Sequence, residues 1–477
     1  MARINTNVSS LSAQRGLAKT QKGLAETLQR LSSGLRINRG ADDPAGLIAS
    51  EGLRSEISGI TQAVDNSQRA SNVISTTEGA LSEVASLLLN IKDLVVEAAN
   101  SGALSREEIE ANQLQIDSAV ESITRIGNTT TFAGLKLLNG SLDYVTSGVN
   151  TASIKALNVS QANFGTNASI PVNIDVITSA RTAELQFQTS AVGAGGVTLE
   201  ISGNEGVDVL TFTSGTAASA IAFAINRITD STGVAADLIN SANAQSGITF
   251  KSAGYGTRNF VSVTAQNGTF TTVDSTGATK TRTEGVNAVA TINGALTVGD
   301  GLDLKLNTAS LDVNLTLDEG FGIGQESFAV TAGGALFQLG AQVTSNQQVN
   351  IGVQSVAASK LGDENVGFLN DLITGGAATI VSGKAADASK VIETAIRQVS
   401  ILRGRLGAFE KNTLDTNINS LTVALENVTA SESSIRDADF ATETAALTRS
   451  QILEQAGTSV LATANSTPQS VLSLLQR

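Results

Sequence analysis

Two stretches of this chain, about 1–140 and 340–477, carry large aliphatic residues at helical spacing and almost no proline. Only Pro44, Pro171 and Pro468 occur, so the commonest helix breaker is missing from long runs. Leu17, Leu24, Leu28, Leu31 and Leu35 fall at steps of three, four and seven, the spacing of a coiled-coil seam. Ile4, Val8 and Leu11 continue it in a shifted register. Helices of this length cannot stand alone in water. They must lie along one another or along other copies of the chain.

The starts and stops are legible. Gly34 and Gly40 weaken the first helix; Asp43 can then cap a second, with Pro44 at the first helical position, where a missing N–H costs nothing. Apolar residues from Leu47 through Leu81, Leu88 and Val95 carry that helix to about Asn100, a rod of ~80 Å at ~1.5 Å per residue. Ser105-Arg106-Glu107-Glu108 has capping-box spacing and opens a third helix through Ile116, Val120 and Ile123. In the C-terminal flank, Val391 to Phe409 and Leu414 to Val428 predict one further rod of ~60 Å. A polar break at Ser431–Asp439 precedes a last helix bearing Leu447, Ile452, Leu453, Ala456, Val460 and Leu461.

The centre is different. Ala183, Leu185 and Phe187, then Val197, Leu199 and Ile201, alternate with polar residues, as do Leu302 to Leu306 and Leu311 to Leu317. Asn293-Gly294 marks a turn, and Thr216–Arg227 reads as a helix carrying Ile221, Phe223 and Ile225. One or two small α+β domains are therefore expected within the helical flanks. The predicted fold class is mixed: a long α-helical coiled-coil or bundle frame from both chain ends, with an inserted, β-rich α+β outer domain.

Composition removes much chemistry. The 477 residues include no Cys and no His, which excludes disulfides, Cys/His zinc sites, Ser-His-Asp triads and thiol nucleophiles. With 31 basic against 44 acidic residues and 3 % aromatics, the chain is a poor nucleic-acid binder. Seven basic side chains against Glu26 alone in the first 40 residues are expected to line an assembled interior or pair with carboxylates of neighbours. No run of ~20 apolar residues suits membrane insertion. The N-terminus lacks the apolar core of a cleaved secretory signal. Central acids Glu200, Glu205, Asp208, Asp300, Asp303 and Asp312 are scattered, so neither catalysis nor a cofactor is expected.

Both ends resemble bacterial flagellins. The N-terminal match rests on Ile4-Asn5-Thr6-Asn7, Ala13-Gln14-Arg15, Leu28-Gln29-Arg30-Leu31-Ser32-Ser33-Gly34, and Arg36-Ile37-Asn38 with Asp42-Asp43. At the other end it rests on Ser434-Ile435-Arg436-Asp437-Ala438-Asp439, Ile452-Leu453-Glu454-Gln455-Ala456-Gly457 and Ala464-Asn465-Ser466-Thr467-Pro468-Gln469-Ser470-Val471-Leu472. The central Val286–Gly294 is similar to a short motif of many flagellins.

The resemblance implies a secreted subunit that polymerises into the extracellular filament for swimming, a helical homo-oligomer of many copies. The divisions it implies are 1–43 and 433–477 as core helices of the inner tube, 44–170 and 326–432 as the rod domain, and 171–325 as the variable outer domain. It also implies partners: an export chaperone, the type III export apparatus, the filament cap and the hook-junction proteins. A hook–filament junction protein and an adhesin-like outer domain are the alternative readings. The polymerisation seam is expected at Leu17, Leu24, Leu28, Leu31, Leu35, Ile452, Leu453, Ala456, Val460 and Leu461, with both ends poorly ordered before assembly for want of partner surface. Leu453, Ala456 and Val460 are expected against the leucines of residues 24–35, within or between subunits. Deleting about 175–320 is expected to be mild. In flagellins sensed by the vertebrate innate receptor for flagellin, an Arg, a Leu and a Glu on the rods centre the contact. The matching positions here are Asn90, Leu94 and Gln115, which implies weak recognition.

Overall fold

The structure, a computed structural model, describes residues 6–475 except 166, 244 and 309, with side chains in the last helix described as far as 467. Ile4 of the expected seam, and the side chains of the Pro468–Leu472 motif, lie outside the described residues. The chain divides into two compact units: 1–69 with 338–343 and 412–477, and 70–337 with 344–411. Terminal helices flank a β-rich middle.

In the first unit, α1 (Val8–Ser33) begins at Asn7, whose side chain accepts from the Ser10 N–H, and ends at Gly34 in the left-handed conformation (φ +74°). Helix α2 (Pro44–Ala99) starts on Pro44, and the carboxylate of Asp43 accepts from the Gly46 N–H at 2.9 Å. Its first part belongs to this unit and its remainder to the second. Helices α7 (Thr416–Arg436) and α8 (Phe440–Leu475) complete it. The α1–α2 and α7–α8 connections run antiparallel: Arg36 N–H donates to Arg436 C=O (2.7 Å), and Ala438 N–H to Gly34 C=O (2.9 Å).

In the second unit, the rest of α2, α3 (Arg106–Thr129) and α6 (Ala385–Phe409) each bury one apolar stripe: Leu81, Leu88 and Ile91; Ile116, Val120 and Ile123; Val391, Val399 and Leu406. The Ser105–Glu108 capping box forms, and its hydrogen bonds hold the Glu108 carboxyl below its ordinary pKa. Lys92–Glu393 (3.2 Å) and Glu78–Arg403 (3.8 Å) pair α2 with α6. The expected single C-terminal rod contains a π-helical turn, Glu410–Asp415, between α6 and α7. Glu410 there accepts from Ser71 (2.6 Å) and Ser75 (3.1 Å), partners 339 and 335 positions away that helical periodicity does not reveal.

The β-rich part of this unit holds two apolar cores. One, containing Val172, Ile174, Ala290, Ile292, Leu304, Val313 and Val330, is covered by a five-stranded and a four-stranded sheet. Their strands include Tyr144–Ser147 and Gly324–Gly333, so β structure begins before residue 171 and continues past 325. Asn293 (φ +50°) and Gly294 (φ +81°) form the two-residue turn expected of them. The second core, containing Leu185, Phe187, Leu199, Ile221, Phe250 and Val263, is closed by residues 182–285 with α4 (Ala218–Asn226) and the short α5 (Thr229–Thr232). Ile221 and Ile225 of α4 are buried, while Phe223 faces solvent.

Arg405 of α6 reaches these sheets, donating to Ser160 Oγ at 2.6 Å and to the Gly352 carbonyl. Burial lowers its pKa and raises those of nearby Asp143 and Asp312.

Candidate assembly surface

Helices α1 and α8 lie antiparallel, so the two ends supply each other with partner surface within one chain, one of the two arrangements expected of them. Asn7 Nδ2 donates to Ala464 C=O at 2.8 Å, and Ser10 Oγ bonds Asn465 Oδ1 at 2.6 Å. Gln21 donates to Glu454 at 3.4 Å, and Arg30 pairs with Glu443 at 3.1 Å. A Cβ built on Gly457 would come within 3.3 Å of Leu17 Cδ1, so the helices approach closely there.

The leucine seam divides on this geometry. Leu17, Leu24, Leu31 and Leu35 are half-buried, as is Leu461, while Leu28 is 49 % exposed. Ile452 (63 %), Leu453 (51 %), Ala456 and Val460 (57 %) also face solvent. Within one chain, therefore, Leu453, Ala456 and Val460 are not buried against the leucines of residues 24–35. What the apolar count missed are Ser10 and Thr27, buried on α1, and Ala464, buried on α8. The signal was present: Ser10, Leu17, Leu24 and Leu31 are spaced at seven.

Each helix thus has one face covered within the chain and another left open. Val8 and Leu11 join Leu28 in the open set, and a shallow concavity of about 470 Å³ is lined by Leu11, Gln14, Arg15 and Ala18. Of the N-terminal basic residues, Arg30 pairs with Glu443 of α8 and Lys22 with Glu26 one turn on, at 3.9 Å.

Asn90 and Gln115 are exposed on α2 and α3, and Leu94 is half-buried. Asp208 is bonded to the Val209 N–H, Glu200 to Gln266, Asp303 to Thr316 and Asp300 to Arg258, so these acids do not converge. Among the described residues no group of three or more acidic side chains is placed to hold a metal, and no helix is long and apolar enough to cross a membrane. A shallow concavity of about 460 Å³ on the five-stranded sheet is lined by side chains such as Asn173, Asp175, Thr291 and Gln325.

A chain whose ends pair with each other and still present open apolar faces is built for self-association: it is a structural, assembling subunit. Residues 4–143 match the bacterial flagellin N-terminal helical region and 389–475 the C-terminal helical region. The chain is 31 % identical to a flagellin of Salmonella typhimurium and 29 % to the B-type flagellin of Pseudomonas aeruginosa, each over 99 % of both chains. It belongs to the bacterial flagellin family. It is a secreted structural subunit of the extracellular flagellar filament, a homopolymer that serves motility. Full-length agreement with flagellins disfavours the junction and adhesin alternatives. A hook-associated protein-3 from Legionella pneumophila is 12 % identical over 81 % of this chain and 98 % of its own, at a TM-score of 0.32, a likeness too low to carry an argument.

Proposed function

We propose that the open faces of α1 and α8 are the polymerisation seam, each filled in the filament by the α1–α8 pairs of neighbouring copies. One observation supports this most: the two helices already cover each other on one side, yet Leu11, Leu28, Ile452, Leu453 and Val460 stay exposed. Clustered apolar exposure of this kind marks an interaction surface. On this reading residues 1–43 and 433–477 build the inner tube, 44–170 and 326–432 the surrounding rods, and 171–325 the outward domain. The role is structural rather than catalytic, and no cofactor takes part.

The Cys-free chain suits threading unfolded through the type III export apparatus with a chaperone. Addition would occur beneath the filament cap, on a base set by hook-junction proteins. Innate-receptor recognition is weak on this reading, because Asn90 and Gln115 stand where the family's contact uses Arg and Glu.

Cysteines introduced singly at Leu28 and Leu453, mixed and oxidised in seeded filaments, test the seam. The expected result is a disulfide between copies in filaments and none in monomer. Filaments that form normally without that crosslink would overturn the reading.

A further inference from the structure

Three Asn-Gly pairs occur in the chain: Asn139-Gly140, Asn267-Gly268 and Asn293-Gly294. This dipeptide is chemically labile, because a glycine N–H carries no side chain to block attack on the preceding amide carbon. The attack requires the Asn side chain to swing over the following backbone nitrogen. The fold treats the three pairs differently.

Asn293 is held at both ends of its amide: Oδ1 accepts from Asn173 N–H (2.9 Å), and Nδ2 donates to Pro171 C=O (3.0 Å). Asn139 follows the fully buried Leu137 and Leu138, is itself half-buried, and accepts from the Ser141 N–H (3.1 Å). Asn267 is exposed at the end of the strand Phe260–Asn267, and its side-chain amide makes no hydrogen bond among the described residues. A register shift between Ala265 and Asn267 loosens the ladder beside it. Gly268 cannot be exchanged to remove the liability: its φ is +83°, and a Cβ would stand 2.3 Å from the Gly196 carbonyl oxygen.

We infer that Asn267 is a site of spontaneous covalent modification, an ageing mark on the outer domain. The Gly268 nitrogen bonds to Asn267 Cγ, the Cγ–Nδ2 bond breaks, and ammonia leaves with the displaced proton. Water then opens the cyclic imide. Opening at Cγ leaves aspartate; opening at the backbone carbonyl leaves isoaspartate, with one more methylene in the chain. Either product adds one negative charge to a chain already at −13. The isoaspartyl form also lengthens the backbone three residues before Phe270, whose ring stacks on Phe187 at 3.8 Å.

The full-length protein is incubated in mildly alkaline buffer, and the three tryptic peptides are followed by mass spectrometry, with isoaspartyl-methyltransferase labelling as a second readout. The Asn267 peptide is expected to convert on the order of tenfold faster than the Asn293 peptide, whose two pinning hydrogen bonds must open first. The Asn139 peptide should also lag behind. In concentrated urea all three should converge, and Asn267→Gln should abolish the fast phase. Equal rates in the folded protein would overturn the inference, and so would an Asn267 lead that persists in urea.

Discussion

Arg181 and Val286 exchange both backbone hydrogen bonds, each at 2.9 Å, across 105 positions of sequence. Most of what lies between them, residues 182–285, closes on its own apolar core, while Tyr255 packs against the other and Arg258 pairs with Asp300. Joining the two residues through an Asn-Gly turn should therefore remove that subdomain cleanly. The shortened chain should stay within about 1 kcal/mol of the parent in urea titration of the remaining fold. The larger cut at 175–320, expected from texture to be mild, would take Val176, Ile292, Leu304, Val313 and Leu315 out of the other core. That deletion should cost at least several kcal/mol.

Leu28→Asp and Leu453→Asp separate folding from assembly. Both side chains are about half exposed in the single chain, so monomer stability should change by no more than about 0.5 kcal/mol. Filaments would instead bury an unpaired charge at every subunit, at several kcal/mol each. Seeded growth should vanish while the melting curve stays in place. Leu88→Asp, at a fully buried position, should unfold the second unit instead.

The Arg30–Glu443 pair is the one ion pair among the polar contacts given above between α1 and α8. Glu443 is only 12 % exposed in its side chain, so Arg30→Met strands a carboxylate at a cost of about 1–2 kcal/mol. Amide exchange across residues 10–33 should accelerate. Adding Glu443→Gln should recover part of the loss, which a double-mutant cycle would measure.

Tyr144 gives the second unit an alkaline limit. Its ring is buried among strands, its hydroxyl accepts from the Ala162 N–H at 2.9 Å, and burial pushes its pKa up to about 12. A raised pKa means the folded state holds the proton longer than the unfolded chain does. The stabilisation is complete below pH 10, the ordinary tyrosine value, and is lost as pH climbs to about 12. The amount is on the order of 2–3 kcal/mol. Tyr144→Phe should flatten this alkaline decline in a pH series of urea midpoints.

The rod surface carries a prediction about host sensing. With Asn at position 90 and Gln at 115, the expected contact lacks a multi-donor cation and a carboxylate. Signalling in a receptor reporter assay should fall more than ~10-fold below that of a recognised flagellin, since ~1.4 kcal/mol is already a factor of ten. Asn90→Arg with Gln115→Glu should restore part of it. Equal potency of the unmodified chain would refute the assignment.

What the residues alone determined here is local. Gly34, Asp43-Pro44, the Ser105–Glu108 box and the Asn293-Gly294 turn each act through backbone groups within four positions, so they are written in short windows of sequence. The repeat of apolar residues likewise marked which segments are helix and which are strand. Tertiary structure decided which leucines are covered, where the inserted subdomain closes, and where a π turn interrupts the C-terminal rod. Those outcomes rest on pairs such as Asn7–Ala464, 457 positions apart, and on small or hydroxyl residues (Ser10, Thr27, Gly457) that let two helices approach. An apolar stripe shows that a helix needs a partner. It does not show how wide a face that partner covers, and on α1 and α8 the uncovered remainder is the surface offered to other copies.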